Sequence, residues 1–228
     1  MRIHRRPYYL MVFLITFFMS PFVVSCNESY SQKTMNLENR NNIKCQFSEQ
    51  DASLINTFPF EELNVSERSG LLYIREEEKL ARDVYVLLCE QYALPVFKNI
   101  SKSEQRHMDA VHNLLDKYSL EDPAEDVPGK FINAHLQELY DQLIIKGSGG
   151  RIDALLVGAL IEETDILDIQ TELDQSVDNQ DIKFVYSNLL RGSKNHLKAF
   201  TKWIHSYDIT YEPVLLTPAQ VDDIVGDP

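Results

Sequence analysis

Glu104 and His107, in the stretch ISKSEQRHMDAVHNLLDKY, lie three positions apart, a little under one helical turn. On a helix both side chains leave the same face, so a hard carboxylate oxygen and an imidazole nitrogen can reach one metal ion. Taken singly, the pair is a frequent chance arrangement on a solvated helix. Its weight comes from three other long helical segments, each of which sets an acid or a His on an otherwise apolar stripe.

Those segments must position the chemistry. The first spans about 67 to 92, where Leu72, Ile74, Leu80, Ala81, Val84, Leu87 and Leu88 recur at helical spacing, and Pro95 closes it. Its inner stripe admits Glu77 or Glu78 and turns Glu76 elsewhere. The second carries Glu104 and His107, starts at a Ser101 or Ser103 cap, and has Met108, Val111, Leu114 and Leu115 facing inward as far as Tyr118. A long connection, LEDPAEDVPGK, leads into a shorter helix at about 131 to 146, broken by Gly-Ser-Gly-Gly. The third long helix covers about 151 to 175, and an acid again interrupts its apolar face, at Glu162 or Glu163. The fourth covers about 179 to 206 with His196 on the stripe of Leu189, Leu197 and Phe200. The tail YEPVLLTPAQVDDIVG reads as an extended strap.

Helices of this length are about 30 Å long, and no strand alternation competes. The fold class is therefore all-α. The expected architecture is a four-helix bundle with a long crossover, carrying an extra short helix, between helices two and three. Such bundles hold carboxylate-bridged metal ions in their cores. An isolated carboxylate in an apolar core is costly, and a divalent cation removes that cost. A REEE run on a helix ordinarily forms a solvated face, for which Lys79 and Arg82 would be partners, and lone histidines such as His4, His112, His135 and His205 take that ordinary reading.

The first twenty-five residues combine a basic start, an apolar stretch and Val23-Val24-Ser25-Cys26. They read as an export signal, and the residues before Cys26 resemble the lipobox of bacterial lipoproteins, which makes Cys26 a lipid anchor in the cell envelope. Residues 26 to 66 are polar and Asn-rich and read as a flexible tether, leaving 67 to 228 as the folded domain. The chain carries a net charge of −13, and because the leader holds Arg2, Arg5 and Arg6 with no acid, the remainder stands near −16. That acidity repels nucleic acid and excludes it as a partner. Beyond the anchor only Cys45 and Cys89 remain, and Cys89, beside Leu87 and Leu88, reads as a buried free thiol.

Within the first helix, Glu78, Arg82 and Tyr85 form a pattern that resembles the first-helix ligand segment of rubrerythrins and other ferritin-like proteins, which selects Glu78 over Glu77. More broadly, REEEKLARDVY, SEQRHMDAVHNLL, LQELYDQL, VGALIEETDILDI and GSKNHLKAF resemble the ferritin-like family catalogued as domain of unknown function 2202, over about residues 68 to 213. The resemblance implies a metal set of Glu78, Glu104, His107, Glu162 or Glu163, and His196, holding iron, or else manganese or zinc. It implies oxidoreductase chemistry on peroxide or oxygen, for which Tyr85 and Tyr140 are the candidate proton or electron donors near the site. One departure stands out: ferritin-like di-iron proteins carry a second Glu-x-x-His on the fourth helix, and here Ser193 occupies the Glu position. Asp165, on the face of Glu162, is the available substitute. The contrasting expectation is a metal-binding or structural envelope protein that turns nothing over. A tethered chain with an added tail suits a monomer or homodimer better than a closed storage shell.

Overall fold

A computed structural model describes residues 54–226. The leader, Cys26, Cys45 and most of the expected tether lie outside these residues. Among the described residues all regular structure is helical: α1 (Val65–Tyr92), α2 (Pro95–Lys117), α3 (Ala134–Gly147), α4 (Arg151–Gln175), α5 (Gln180–His205) and α6 (Pro218–Val225). No helix among them is long and apolar enough to cross a membrane.

The four long helices pair as two hairpins, α1 with α2 and α4 with α5, and the hairpins meet through α1 with α4 and α2 with α5. Leu71, Ile74, Leu88, Leu114, Leu155, Ile169 and Leu189 fill the space between them and are fully buried. Burying a side chain of this kind contributes about 1.5 to 3 kcal/mol. The crossover helix α3 lies on α1 and α4, and α6 on α5.

Local chemistry explains the boundaries. Asn64 caps α1 by accepting from the Ser66 and Glu67 amides, while Glu67 reaches back to the Asn64 amide at 2.9 Å. Ser101 or Ser103 was expected to cap the second helix, yet both lie inside α2, which starts about two turns earlier at Pro95. A proline that ends one helix also suits the first position of the next, where its missing N–H has no partner to lose. Ala93, in the left-handed region at φ 55°, makes the two-residue reversal between α1 and α2. The tail is only partly the expected strap: Thr217 and Gln220 form a capping box around Pro218, and the chain winds into α6. The packed body also begins before residue 66, since Ile55 is fully buried and Phe58 and Phe60 lie against Phe184 and Tyr118.

Residues Arg75 to Lys79 are all buried, which overturns the solvated reading of the REEE run. The middle of α1, from Ile74 to Ala81, is enclosed all round, so each charged side chain there must find its own partner. Arg75 pairs with Asp122 at 2.7 Å, and Glu76 accepts from the Ile132 and Asn133 amides, docking the start of α3. Lys79 pairs with Asp83 at 2.7 Å, donates to the Val127 and Lys130 carbonyls, and sits over the Phe131 ring. Both ends of the crossover are thereby tied to α1. Cys89 is half-buried with a free thiol.

Candidate metal centre

Five side chains from all four long helices converge in the interior: Glu78 from α1, Glu104 and His107 from α2, Glu162 from α4 and His196 from α5. They form two groups of three, Glu78 with Glu104 and His107, and Glu104 with Glu162 and His196, each with ligand atoms within 4.8 Å of one another. Glu104 belongs to both. Its Oε2 lies 2.7 Å from His107 Nδ1 and its Oε1 2.8 Å from His196 Nδ1, so the carboxylate spans the two groups.

Hydrogen bonding alone does not account for this geometry. His107 Nδ1 faces Glu78 Oε2 at 3.1 Å as well as Glu104, and His196 Nδ1 faces Glu162 Oε2 at 3.4 Å as well as Glu104. One ring nitrogen carries at most one proton and can serve one acceptor in line. Both oxygens of Glu104, Oε2 of Glu162 and Nδ1 of His196 are buried with no well-directed hydrogen-bond partner. Several buried oxygens competing for the protons of two ring nitrogens are the pattern that a cation satisfies. The donor set, carboxylate and imidazole without thiolate, fits iron(II), manganese(II) or zinc. Three protein donors per group leave coordination positions open.

The electrostatics follow from the same crowding. Burial raises Glu78 and Glu162, each to about 7, against the lowering effect of His107 and His196 respectively. Burial opposes a charge on His107, but Glu78 and Glu104 outweigh it and lift the imidazole to about 10. His196 is lifted too, by Glu104 and Glu162 against burial. Glu104 is held below the carboxylate range because the two imidazoles overcome its desolvation.

Supporting residues set the aim of each ligand. The Tyr85 hydroxyl lies 2.6 Å from Glu162 Oε1 and 3.2 Å from the Gly158 carbonyl, steering the other Glu162 oxygen toward His196. Gly192, one turn before His196, makes room for the second imidazole: a Cβ there would fall 2.5 Å from His107 Nε2. The rings of His107 and His196 stack at 5.5 Å. Gly192 was missed in the sequence reading, although a glycine in mid-helix costs stability and so marks close approach.

Of the expected set, Glu163 and Tyr140 lie elsewhere. Glu163 is one residue past Glu162 and therefore about 100° around the helix. It accepts from the Tyr211 hydroxyl and from the amides of Val214, Leu215 and Leu216, which lash the tail to α4. Tyr140 packs on Phe131 and Gly129 in the crossover. Ser193 turns its hydroxyl back to the Leu189 carbonyl at 3.2 Å and supplies no ligand, and Asp165, though buried, is in neither group of three.

Comparison with known proteins agrees with this architecture. Residues 67–228 match the family described as Uncharacterized protein domain (DUF2202), and the chain belongs to that family. The uncharacterized protein MJ0754 of Methanocaldococcus jannaschii is 45% identical over 173 residues, covering 75% of this chain and 93% of that protein. The crystal structure of the hypothetical protein MJ0754 superposes with a TM-score of 0.73 at 44% identity, over 75% of this chain and 98% of the other.

Proposed function

We propose that this DUF2202 member is a ferritin-like four-helix metal protein that binds two iron or manganese ions and oxidises them with peroxide or oxygen. The observation that carries the reading is Glu104, whose two oxygens each face a different imidazole without a directed hydrogen bond. In this reading Glu78 and His107 would hold one ion and Glu162 and His196 the other, with Glu104 shared between them. When bound, such a pair supplies two electrons, one from each ion, which with two protons reduce peroxide to two waters.

The chain's own residues do the rest. Three carboxylates nearly neutralise two dications in an interior where unpaired charge is expensive. Tyr85 acts here as a positioning residue: burial and Glu162 raise its hydroxyl well above the ordinary phenol value, so it stays protonated and keeps donating. Ser193 bonds the Leu189 carbonyl and offers no carboxylate on α5, so the ions would keep positions for exogenous oxygen ligands.

The leader and Cys26 motif support a lipid-anchored form in the bacterial cell envelope. Block of lipoprotein signal peptidase leaves a larger precursor if this is right; unchanged processing refutes it. Ser193 favours a second reading, in which only one ion is held tightly and nothing is turned over. The full chain, purified without added metal, distinguishes them. About two redox ions per chain, lost in both Glu104→Ala and His107→Ala, with peroxide-dependent iron(II) oxidation above the free-metal rate, supports the oxidoreductase. One ion, or zinc without turnover, supports the binding protein, and a metal-free chain refutes both.

A further inference from the structure

A second set of acids adjoins the centre and is not used by it. Glu77 on α1 and Asp165 on α4 line a small cavity, together with Leu80, Leu143, Ile161 and Thr164. Both are buried, at 3% and 1% exposure, and each has an oxygen, Glu77 Oε1 and Asp165 Oδ2, with no hydrogen-bond partner. No lysine or arginine lines the cavity. Two acids that each keep an unpartnered oxygen in an apolar pocket without a counter-ion are a costly arrangement for a purely structural purpose.

Their place in the fold connects them to both ligand groups. Glu77 precedes Glu78 in the chain, and Asp165 follows Glu162 by three residues. Asp165 is raised by burial and then by Glu77, Glu78, Glu162 and Glu104, so it lies within the field of the centre's carboxylates. On the outer side, half-buried Asp168 accepts from the Tyr73 hydroxyl at 3.3 Å, and its charge adds to burial in raising Glu77. Glu162, Asp165 and Asp168 thus descend α4 in steps of three residues, covering about 9 Å along its axis and turning about 120° around it. Exposure rises along the series from the interior ligand to the half-buried outer acid.

We propose that Asp168, Glu77 and Asp165 form a transit site for a divalent cation, through which metal reaches the dinuclear centre. The proposal rests on the metal-binding reading above. Carboxylates without imidazole give a hard, oxygen-only site. It binds more weakly than the centre and takes ions such as manganese(II), iron(II) and cobalt(II). The cavity of a water molecule's size suits an ion stripped of most of its hydration shell.

Cobalt(II) loading of the metal-free full chain tests it, followed by visible absorption in a stopped-flow instrument. Asp165→Asn and Glu77→Gln, which keep side-chain volume, are expected to slow loading by tenfold or more while the final cobalt content of the centre stays at the wild-type value. Asp165→Glu restores loading to within threefold, which a merely structural residue would not do. With manganese(II) and paramagnetic resonance, a weakly held ion beyond those in the centre disappears in Asp165→Asn. Loading at the wild-type rate in both neutral variants overturns the transit site alone. Absence of cobalt binding by the wild type, or tight binding that persists at the full wild-type content in Glu104→Ala, overturns the dinuclear reading and the transit site with it.

Discussion

Glu162 and Glu163 are neighbours on α4, both fully buried, and they meet opposite kinds of surroundings. Glu163 is surrounded by donors: a tyrosine hydroxyl and three consecutive backbone amides of the tail. Glu162 shares its space with another carboxylate and one imidazole, and one of its oxygens lacks a directed partner. Glu67 and Glu76 resemble Glu163, each accepting from loop amides where a connection docks. Glu104 resembles Glu162, and Glu78 shares its one facing donor, the His107 ring nitrogen, with Glu104. Burial therefore does not separate the acids that dock loops from those of the candidate centre. The number of protons aimed at each oxygen does, because a satisfied carboxylate has nothing left to offer a metal.

The largest test of this contrast exchanges the two kinds. Glu104→Ala removes the shared ligand and is expected to abolish binding of both ions, measured by manganese(II) titration of the full chain. Glu163→Ala is expected to keep the wild-type metal content and instead lose about 3 kcal/mol of stability, since it strands the buried Leu216 amide and two partly buried ones, a buried one costing about 1 to 3 kcal/mol unsatisfied. Urea unfolding of the metal-free protein reads that loss. Metal loss in the Glu163 variant at full stability would erase the distinction.

Proton binding sharpens it next. Glu78 and Glu162 each rise from 4.5 to about 7 in the folded chain, so they bind protons more tightly folded than unfolded. Their contribution to stability is whole below about 4.5 and is gone once the pH passes about 7. His107, lifted from 6.5 to about 10, continues the same trend at higher pH. Glu104, lowered, matters only toward acid. The metal-free protein should therefore melt at progressively lower temperature from pH 5 to pH 8, with a flatter profile in a Glu78→Gln, Glu162→Gln double variant. Metal displaces these protons, so manganese(II) should stabilise more as pH rises. An apo-protein that gains stability over that range would show that the centre's acids do not hold protons in the fold.

The helices and most of the centre were legible because they depend on local period. Glu104, His107 and His196 sit on stripes that any helical count finds, and α4 was placed at its observed limits. The choice between Glu162 and Glu163 was not legible. Both faces of α4 are covered, one by the other long helices and one by the tail, and the tail's return is a contact some fifty residues away in sequence. The burial of Arg75 to Lys79 escaped for the same reason: charge runs look solvated until the crossover loop that closes over them is known. Tyr140 carried no signal that separated a packing ring from a donor to the centre.

The smallest expected effect belongs to Tyr85, which touches a ligand without being one. Its hydroxyl holds Glu162 Oε1 at 2.6 Å, whereas no comparable donor holds either oxygen of Glu104. Tyr85→Phe leaves the ring's packing against Phe97 and Phe200 in place and removes one buried hydrogen bond, a loss of about 1 kcal/mol. If the hydroxyl serves to aim Glu162, the variant binds the Glu162–His196 ion several-fold more weakly and leaves the Glu78–His107 ion unchanged. Two-site titration with manganese(II) separates the two affinities. Equal weakening at both would mean that Tyr85 acts on the shared carboxylate rather than on Glu162, and no weakening with lost peroxide turnover would return it to the role of proton donor.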